Sequence, residues 1–321
     1  MLDYYDRQGV GPLWDVVQAM STSGITPYIL PVLYFVAVLW GSYKMFLSIP
    51  NCRYFLLLLL PAFFLSVGYF SPILLSLPFI LIAALYLDTH PKVSAAVVSL
   101  GSVLMIHPLL GYFLIFFTDR KREFGVTALV ATLFFTLLPL VIFSPKELLS
   151  SYYEWISGFR GVPPDTQSLP QKFSFIHIMR VYEVLPAWVM RLFIINLFHV
   201  QLLPCLKVRH LSSPAPIFPL FVSSLLLFIG LFSSMNTPYT LLISLVGVLG
   251  WVQYSRLKRG WSKAIGLTVV IISYLCLGLI GLGYISMNIA EIAVTLPLFA
   301  VWIICMVEIW RHMYKYKVKK V

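Results

Sequence analysis

The sequence predicts an all-α fold: a polytopic integral membrane protein with about ten membrane segments, including short re-entrant hairpins. Three observations predict it. Hydrophobic residues make up 60% of the 321 residues, charged residues only 11%, and the mean hydropathy is +0.90, whereas about 25% of a soluble domain is charged. Apolar stretches alternate with short connections along the chain. Lys and Arg collect in every second connection, as expected when alternate connections face the cytoplasm.

The apolar stretches define the predicted segments. A bilayer core needs about 20 helical residues, and several of these stretches are shorter than that. They cover 26–47, 54–69, 72–87, 93–106, 108–117, 126–143, 184–204, 216–233, 239–254, 264–284 and 291–310.

Charge decides how the two short stretches 93–106 and 108–117 are connected. If they formed one crossing interrupted at Pro108, the charged cluster 119–123 would lie on the opposite side from Lys92. If the chain reverses at His107, both charged groups lie on the same side, which the positive-inside rule favours. We therefore predict a re-entrant hairpin here and a second one at 68–72. Short helices that meet at a polar turn usually line a cavity, so we expect a water-filled outer pocket.

This topology sets the orientation and the domains. We expect a multi-pass plasma-membrane protein with an extracytoplasmic segment 1–25, membrane segments 26–143, an extracytoplasmic loop 144–183, membrane segments 184–310 and a basic cytoplasmic tail 311–321. The net charge of +11 then faces membrane lipids, and we expect no nucleic-acid partner. The basic residues assigned to the cytoplasm are Lys44, Arg53, Lys92, Arg120, Lys121, Arg122, Lys207, Arg209, Arg256, Lys258, Arg259, Lys263, Arg311, Lys315, Lys317, Lys319 and Lys320.

The outer loop carries a strong local helix signal. Ser144, Pro145 and Glu147 have the spacing of a capping box with proline at the first helical position. An apolar stripe follows at helical spacing and predicts a helix lying in the membrane interface. Its members are Leu148, Tyr152, Trp155 and Phe159, with Gly158 and Gly161 at the end. A second short helix is predicted over 173–180, with Ser174, His177 and Arg180 on one face.

Polar residues near the predicted pocket suit an anionic lipid head group. The candidates for binding a donor phosphate are His107, Lys172, His177, Arg180, Tyr69 and Ser71. The alternative is that the basic residues contact only bulk phospholipid and that His107 only caps exposed carbonyls. Polar residues also lie within the span 184–204, where His199 is expected to make an interhelical hydrogen bond.

The candidate catalytic residues are carboxylates. A hydroxyl group that acts as a nucleophile needs a general base beside it, and Asp6 and Asp3 are the preferred candidates. Glu154, Glu183 and Glu291 are competing outer carboxylates. No CxxC spacing or zinc motif occurs, so the cysteines are expected to be buried, with no metal site and no cofactor.

The order of motifs resembles glycosyltransferase family 87, the integral-membrane GT-C enzymes. The similar segments are Gly68-Tyr69-Phe70-Ser71-Pro72-Ile73-Leu74, Met105-Ile106-His107-Pro108-Leu109-Leu110, Arg120-Lys121-Arg122, Ser144-Pro145 through Tyr152, Thr166-Gln167-Ser168-Leu169, Thr237-Pro238-Tyr239 through Ile243, and Leu296-Pro297 with Trp302. Three family positions differ: Tyr69 and Ser71 replace amides, and Met105 replaces a lysine that would contact phosphate. The family's first helix and the loop with its catalytic aspartate lie upstream of the similar region.

The resemblance implies a transferase that moves mannose or arabinose from a polyprenyl-phosphate sugar to a glycan or glycolipid acceptor on the outer side. A lysine at Met105 would then restore a phosphate contact and tighten lipid binding. Two alternatives remain open. The lost polar positions allow a non-catalytic or degenerate GT-C-like subunit, and re-entrant hairpins also occur in lipid or solute transporters.

Overall fold

The computed structural model describes part of the chain, in several ranges. The described residues are 11–13, 33–34, 36–38, 40–41, 44, 59–62, 72–158, 174–182, 184, 186–208, 217–233, 240–255 and 259–315. Every extended regular element in these ranges is a helix, so the described chain is all-α. The chain divides into two compact units, Met1–Met45 with Val67–Asp165 and Phe46–Ser66 with Thr166–Val321.

Among the described residues of the first unit, four α-helices and one long 3-10 helix have defined bounds. The 3-10 helix His107–Phe117 is named the return helix. The α-helices are α1 (Ser76–Tyr86), α2 (Pro91–Leu104), α3 (Lys121–Leu137) and α4 (Pro145–Gly158).

The return helix runs back along α2. A β-carbon at Gly101 would lie 2.9 Å from Pro108 Cβ, and one at Gly111 would lie 2.9 Å from Val98 Cγ2. Residue numbers therefore increase along one helix in the direction in which they decrease along the other. The two helices are antiparallel, and the chain reverses between Leu104 and His107. Glycine permits this close approach because a larger side chain would collide with the facing helix. We name this end of the first unit the turn end and the opposite end the basic end.

Charged connections meet at the basic end. Asp88 lies between α1 and α2, and its pKa is raised first by burial and then by the nearby Asp119, which lies between the return helix and α3. The two connections are therefore neighbours, and Lys92 lies at the same end as the cluster 119–123. This is the arrangement that the reversal at His107 requires. Lys121 begins α3, so part of the basic cluster is in the first helical turn and not in a connection.

Hydroxyl groups join the three helices of the hairpin region. Tyr112 Oη lies 3.0 Å from Ser102 Oγ and 3.1 Å from Ser99 Oγ, and it also contacts Thr132 Oγ1. Ser99 belongs to α2, Tyr112 to the return helix and Thr132 to α3. Because buried hydroxyls need partners, this network fixes the hairpin against α3.

In the described part of the second unit, six helices have defined bounds. They are α5 (Phe175–Val181), α6 (Ala187–Val208), α7 (Phe218–Phe232), α8 (Leu241–Tyr254), α9 (Arg259–Gly281) and α10 (Met287–Lys315). Helices α7 and α8 are almost wholly buried. Helix α10 continues through Lys315, so the predicted tail begins as helix.

Small residues bring α7 and α8 together. A β-carbon at Gly230 would overlap Ser244 Oγ, and one at Gly247 would lie 2.9 Å from the backbone oxygen of Ser223 and 3.0 Å from the backbone nitrogen of Leu227. Close packing of small residues is a common way for helices to associate in membranes.

We expect Gly247→Ala to destabilise the second unit by about 1–3 kcal/mol, because the new methyl group meets backbone atoms that cannot move alone. Thermal unfolding in detergent measures the loss. The matched control is Gly278→Ala in α9, where nothing lies within 4 Å of the added carbon and alanine is the better helix former. Equal unfolding temperatures for the two variants would contradict the tight packing of α7 on α8.

Four helices of the described chain are long and apolar enough to cross a membrane: Lys121–Val141, Trp188–Val208, Gly260–Gly281 and Asn288–Tyr314. Five shorter apolar helices have 10–17 residues: Ile73–Tyr86, Pro91–Leu104, His107–Phe117, Phe218–Phe232 and Leu241–Tyr254. Such a set of helices is that of a membrane-embedded protein. The total of about ten membrane segments stays a prediction.

Candidate functional site

A histidine–carboxylate pair joins two helices of the second unit. His177 Nδ1 on α5 lies 2.7 Å from Glu291 Oε1 near the start of α10. Glu291 is buried, with 4% of its side chain exposed, and His177 retains 11% exposure. The sequence placed both residues on the outer side but gave no reason to pair them, because 114 positions separate them.

Other contacts hold α5 in place. Ser174 Oγ donates a hydrogen bond to the carbonyl oxygen of Leu231 at 3.1 Å. The ring of Phe175 stacks on Phe299 of α10 with centroids 4.3 Å apart. Ser174 therefore lies just before α5 and bonds to α7. The helix begins at Phe175 and not at the predicted position 173, and its first turn is closed by a hydrogen bond from the N–H of Ile178 to the carbonyl oxygen of Ser174 at 3.1 Å.

The rings around Phe175 form an aromatic cluster between α5, α7 and α10. Phe232 meets Phe299 at 6.1 Å and Trp302 at 5.4 Å, both edge to face. Such pairs contribute about 0.5–1.5 kcal/mol each beyond their buried area. The cluster gives the His177–Glu291 pair a rigid base.

A carboxylate beside His177 changes what this residue can do. The negative charge of Glu291 would offset a protonated imidazole, which weakens the attraction of this group for a phosphate. The same carboxylate orients the ring for proton transfer. The arrangement therefore suits acid–base chemistry better than the predicted phosphate binding.

The other predicted site residues fall in different places. His107 is half-buried at the start of the return helix, in the first unit, whereas His177 belongs to the second. Arg180 lies in α5, three positions after His177. Asp3, Asp6, Tyr69, Ser71 and Lys172 lie outside the described residues, as does the competing carboxylate Glu183.

An N-terminal segment reaches the turn end of the first unit. The backbone N–H of Gly11 donates to the carbonyl oxygen of Leu104 at 2.8 Å. Leu13 packs with Val103, Leu104 and Met105 in an apolar cluster. Met105 is only 1% exposed, which disfavours the expectation that a lysine at this position would contact a phosphate. The backbone is extended at Met105. In this conformation the Met105 side chain packs into the apolar cluster with Leu13.

Helix α4 begins at the predicted capping box. The backbone N–H of Ser144 donates to Glu147 Oε2 at 2.8 Å, and the N–H of Glu147 donates to Ser144 Oγ at 3.4 Å. Hydrogen bonds from the backbone and side chain of Ser144 lower the pKa of Glu147. The described part of the helix runs to Gly158, and the predicted stripe member Phe159 lies outside the described residues.

The apolar stripe of α4 packs on its own unit. Leu148 is buried, and Tyr152 Oη donates to the carbonyl oxygen of Thr136 at 3.0 Å. The stripe therefore packs on protein, and the prediction that this helix lies in the membrane interface stays a prediction. The exposed apolar residues are instead Leu149 and Tyr153, because α4 lies with its other face against the end of α3.

The polar residues of α6 differ in their burial and in their hydrogen-bond partners. Gln201 is buried; its Nε2 donates to Ser224 Oγ at 2.9 Å, and its Oε1 accepts from Trp302 Nε1 at 3.0 Å. His199 and Asn196 are exposed and bond to carbonyl oxygens of their own helix. The prediction of an interhelical bond for His199 is wrong, since Gln201 occupies the buried face.

A second buried carboxylate lies near the other end of α10. Glu308 accepts hydrogen bonds from Trp251 Nε1 at 3.1 Å and from Ser255 Oγ at 2.7 Å. One turn further, Lys207 of α6 lies over the rings of Trp310 and Tyr314 at 5.1 and 4.8 Å from their centroids. Sequence analysis named Lys207 only among the basic residues assigned to the cytoplasm, and it did not single out Glu308.

Among the described residues, no three His, Cys, Asp or Glu side chains are placed to hold a metal ion. Cys205, Cys276 and Cys305 are buried free thiols. Glu154 is exposed and accepts a long hydrogen bond of 3.5 Å from Ser150. The His177–Glu291 pair is therefore the best-formed titratable site in the described part of the chain.

Comparisons with known proteins identified no relative of this chain. No protein-family model matches the chain, and neither a curated protein nor a solved structure does so. Any functional conclusion must come from the chain's own residues and geometry.

Proposed function

We propose that the protein is a membrane glycosyltransferase of the GT-C type that moves a sugar from a polyprenyl-phosphate donor to a lipid-linked or envelope glycan acceptor. The motif order described above suggests the family. The observation that carries the proposal is the hairpin of α2 and the return helix, because it brings several candidate elements to the turn end of one unit.

Polar and N-terminal elements meet at this end. His107 begins the return helix where the chain reverses. The hydrogen bond from Gly11 to Leu104 brings the N-terminal segment to the same end, and Asp6 lies five positions before Gly11 in the sequence. Asp6 itself lies outside the described residues, and its position beside this turn is part of the proposal.

An apolar surface leads to the turn end. Leu129, Leu133 and Leu137 recur every fourth residue along α3 and are 64%, 55% and 55% exposed. Residues four apart lie on one helical face. A long isoprenoid chain needs such a surface beside the polar group that binds its phosphate. The last residues of α3 lie at the turn end, beside the first residues of the return helix.

The test is transfer of labelled sugar by the purified protein in lipid nanodiscs. Polyprenyl-phosphate mannose or arabinose, labelled in the sugar, is supplied with a glycolipid extract as acceptor, and new labelled glycolipid is separated by chromatography. We expect a new glycosidic bond to form. Movement of intact labelled donor across vesicles without a new bond would support a transporter instead. A protein that neither makes product nor is stabilised by polyprenyl phosphate would overturn the proposal.

A matched pair of variants locates the donor. His107→Ala is expected to lower transfer and to weaken thermal protection by polyprenyl phosphate, because an imidazole can donate to a phosphate oxygen. Leu109→Ala, two positions away and half exposed, is the control and should keep both properties. Equal loss in the two variants would argue against donor binding at this turn.

A further inference from the structure

We propose that the end of the second unit where α6 and α10 finish binds the head-group phosphate of an anionic phospholipid. The binding groups are Lys207 on α6 and Trp310, Arg311 and Tyr314 on α10. We name these four residues the head-group site. It lies within one unit and does not depend on the transfer reaction proposed above.

Both helices reach the membrane surface at this site. Lys207 is the last residue but one of the candidate span Trp188–Val208, and Tyr314 is the last residue of the candidate span Asn288–Tyr314. Tryptophan and tyrosine collect at the level of the lipid head groups, and lysine extends its ammonium group toward that level. The head-group site therefore lies at the depth of the lipid phosphates.

Two aromatic rings fix the position of the lysine. The ammonium nitrogen of Lys207 lies 5.1 Å from the ring centroid of Trp310 and 4.8 Å from that of Tyr314. A cation over an aromatic face is attracted by the ring, so this flexible side chain is held in one place. An ammonium group has three N–H donors, and no described residue accepts a hydrogen bond from those of Lys207. They are available to phosphate oxygens.

Carboxylates leave the charge of the site uncompensated in the part of the chain that the structure describes. Neither Lys207 nor Arg311 forms an ion pair there, and the ion pair that is formed, His177 with Glu291, involves the start of α10. Glu308 accepts hydrogen bonds from Trp251 and Ser255 instead. After Glu308 the sequence contains no Asp or Glu; its basic residues there are Arg311, Lys315, Lys317, Lys319 and Lys320.

An anion from outside the chain is therefore attracted to this end of the unit. At head-group depth the abundant anions are the phosphates of acidic lipids, and a basic residue near such a surface contributes about 1 kcal/mol to binding. Arg311 is exposed and lies three positions before Tyr314, on the same side of the helix. It adds a second cation beside the one held by the rings.

The rings also decide which class of phospholipid fits. A phosphatidylcholine head group carries a quaternary ammonium ion, which aromatic faces bind. Here Lys207 already lies over the rings of Trp310 and Tyr314, and its charge repels a second cation. The site therefore favours a head group that has a phosphate and no cation, as in phosphatidylglycerol.

The test measures lipid binding by the full-length protein in detergent. Phosphatidylglycerol or phosphatidylcholine with the same acyl chains is titrated, and native mass spectrometry counts the lipid molecules retained per protein. We expect the wild type to bind phosphatidylglycerol the more tightly. Lys207→Gln should weaken that binding about fivefold, which corresponds to about 1 kcal/mol for one basic residue, and should leave the affinity for phosphatidylcholine unchanged.

Two further variants show whether the effect belongs to this site. Lys207→Arg keeps the charge over the rings and should retain the affinity of the wild type. Lys263→Gln removes the same charge from the start of α9, which lies at the same end of the unit because α9 and α10 pack together and are joined by the short connection 282–286. It should change the affinity less than about twofold, since a charge away from the phosphate is screened by salt.

Three results would overturn the proposal. Equal affinity of the wild type for the two lipids would mean that the site does not select an anionic head group. Equal weakening by Lys207→Gln and Lys263→Gln would leave only a general attraction to a positive surface. Displacement of phosphatidylglycerol by inorganic phosphate at the concentration of the lipid would assign the site to a soluble anion and not to a lipid.

Discussion

Replacing Met105 by lysine is expected to destabilise the first unit by at least about 3 kcal/mol. Met105 is 1% exposed and packs with Leu13, Val103 and Leu104. A lysine there would bury an ammonium group in an apolar cluster, and burial of an unpaired charge is among the most costly single changes. Thermal unfolding in detergent should show a large fall in the unfolding temperature.

The control for this change is Met105→Leu. A substitution that conserves volume in an apolar cluster usually costs less than about 1.5 kcal/mol, so this variant should unfold close to the wild type. The family resemblance predicts the opposite result for Met105→Lys, namely tighter binding of polyprenyl phosphate without loss of stability. That result would place the side chain in an open phosphate site and contradict the packing of the turn end.

Local signals of the sequence predicted local structure well. The capping box at Ser144 and Glu147 forms because both partners lie within one helical turn. The reversal at His107 followed from the positions of Lys92 and the cluster 119–123, since charge reports which ends of segments share a side. Neither inference required knowledge of a distant part of the chain.

Contacts between distant segments escaped prediction. In a membrane helix most faces are apolar, so periodicity does not separate a buried face from one that meets lipid. Gln201 and His199 lie two positions apart in the same span, yet Gln201 bonds to Ser224 and Trp302 while His199 bonds within its helix. The partner of each polar residue depends on which helices meet, and one sequence does not encode this in any local pattern.

The same reasoning explains the partly correct prediction of the site. His177 and Glu291 were each recognised as polar residues near the outer side, because each lies near the end of an apolar segment. Their pairing depends on how α5 rests on α10, which the spacing of residues cannot give. The contact with Glu291 is therefore a feature of His177 that its position in the sequence did not indicate.

The second large effect is expected at Glu308. Its carboxylate accepts hydrogen bonds from Trp251 Nε1 and Ser255 Oγ, which join α10 to the end of α8. Glu308→Ala removes the acceptor for both donors, and a buried donor left without a partner costs about 1–3 kcal/mol. We therefore expect a loss of about 2–4 kcal/mol, measured by thermal unfolding.

Comparison variants test whether the hydrogen bonds cause the loss. Glu308→Gln keeps one carbonyl acceptor and should lose about half as much, whereas Val307→Ala, at a neighbouring position that is 42% exposed, should change little. A double-mutant cycle with Trp251→Phe should give a coupling free energy of about 1 kcal/mol or more, because each single change removes the same bond. Additive effects would mean that Trp251 and Glu308 do not stabilise each other, and the loss in Glu308→Ala would then come from the Ser255 hydrogen bond and from packing.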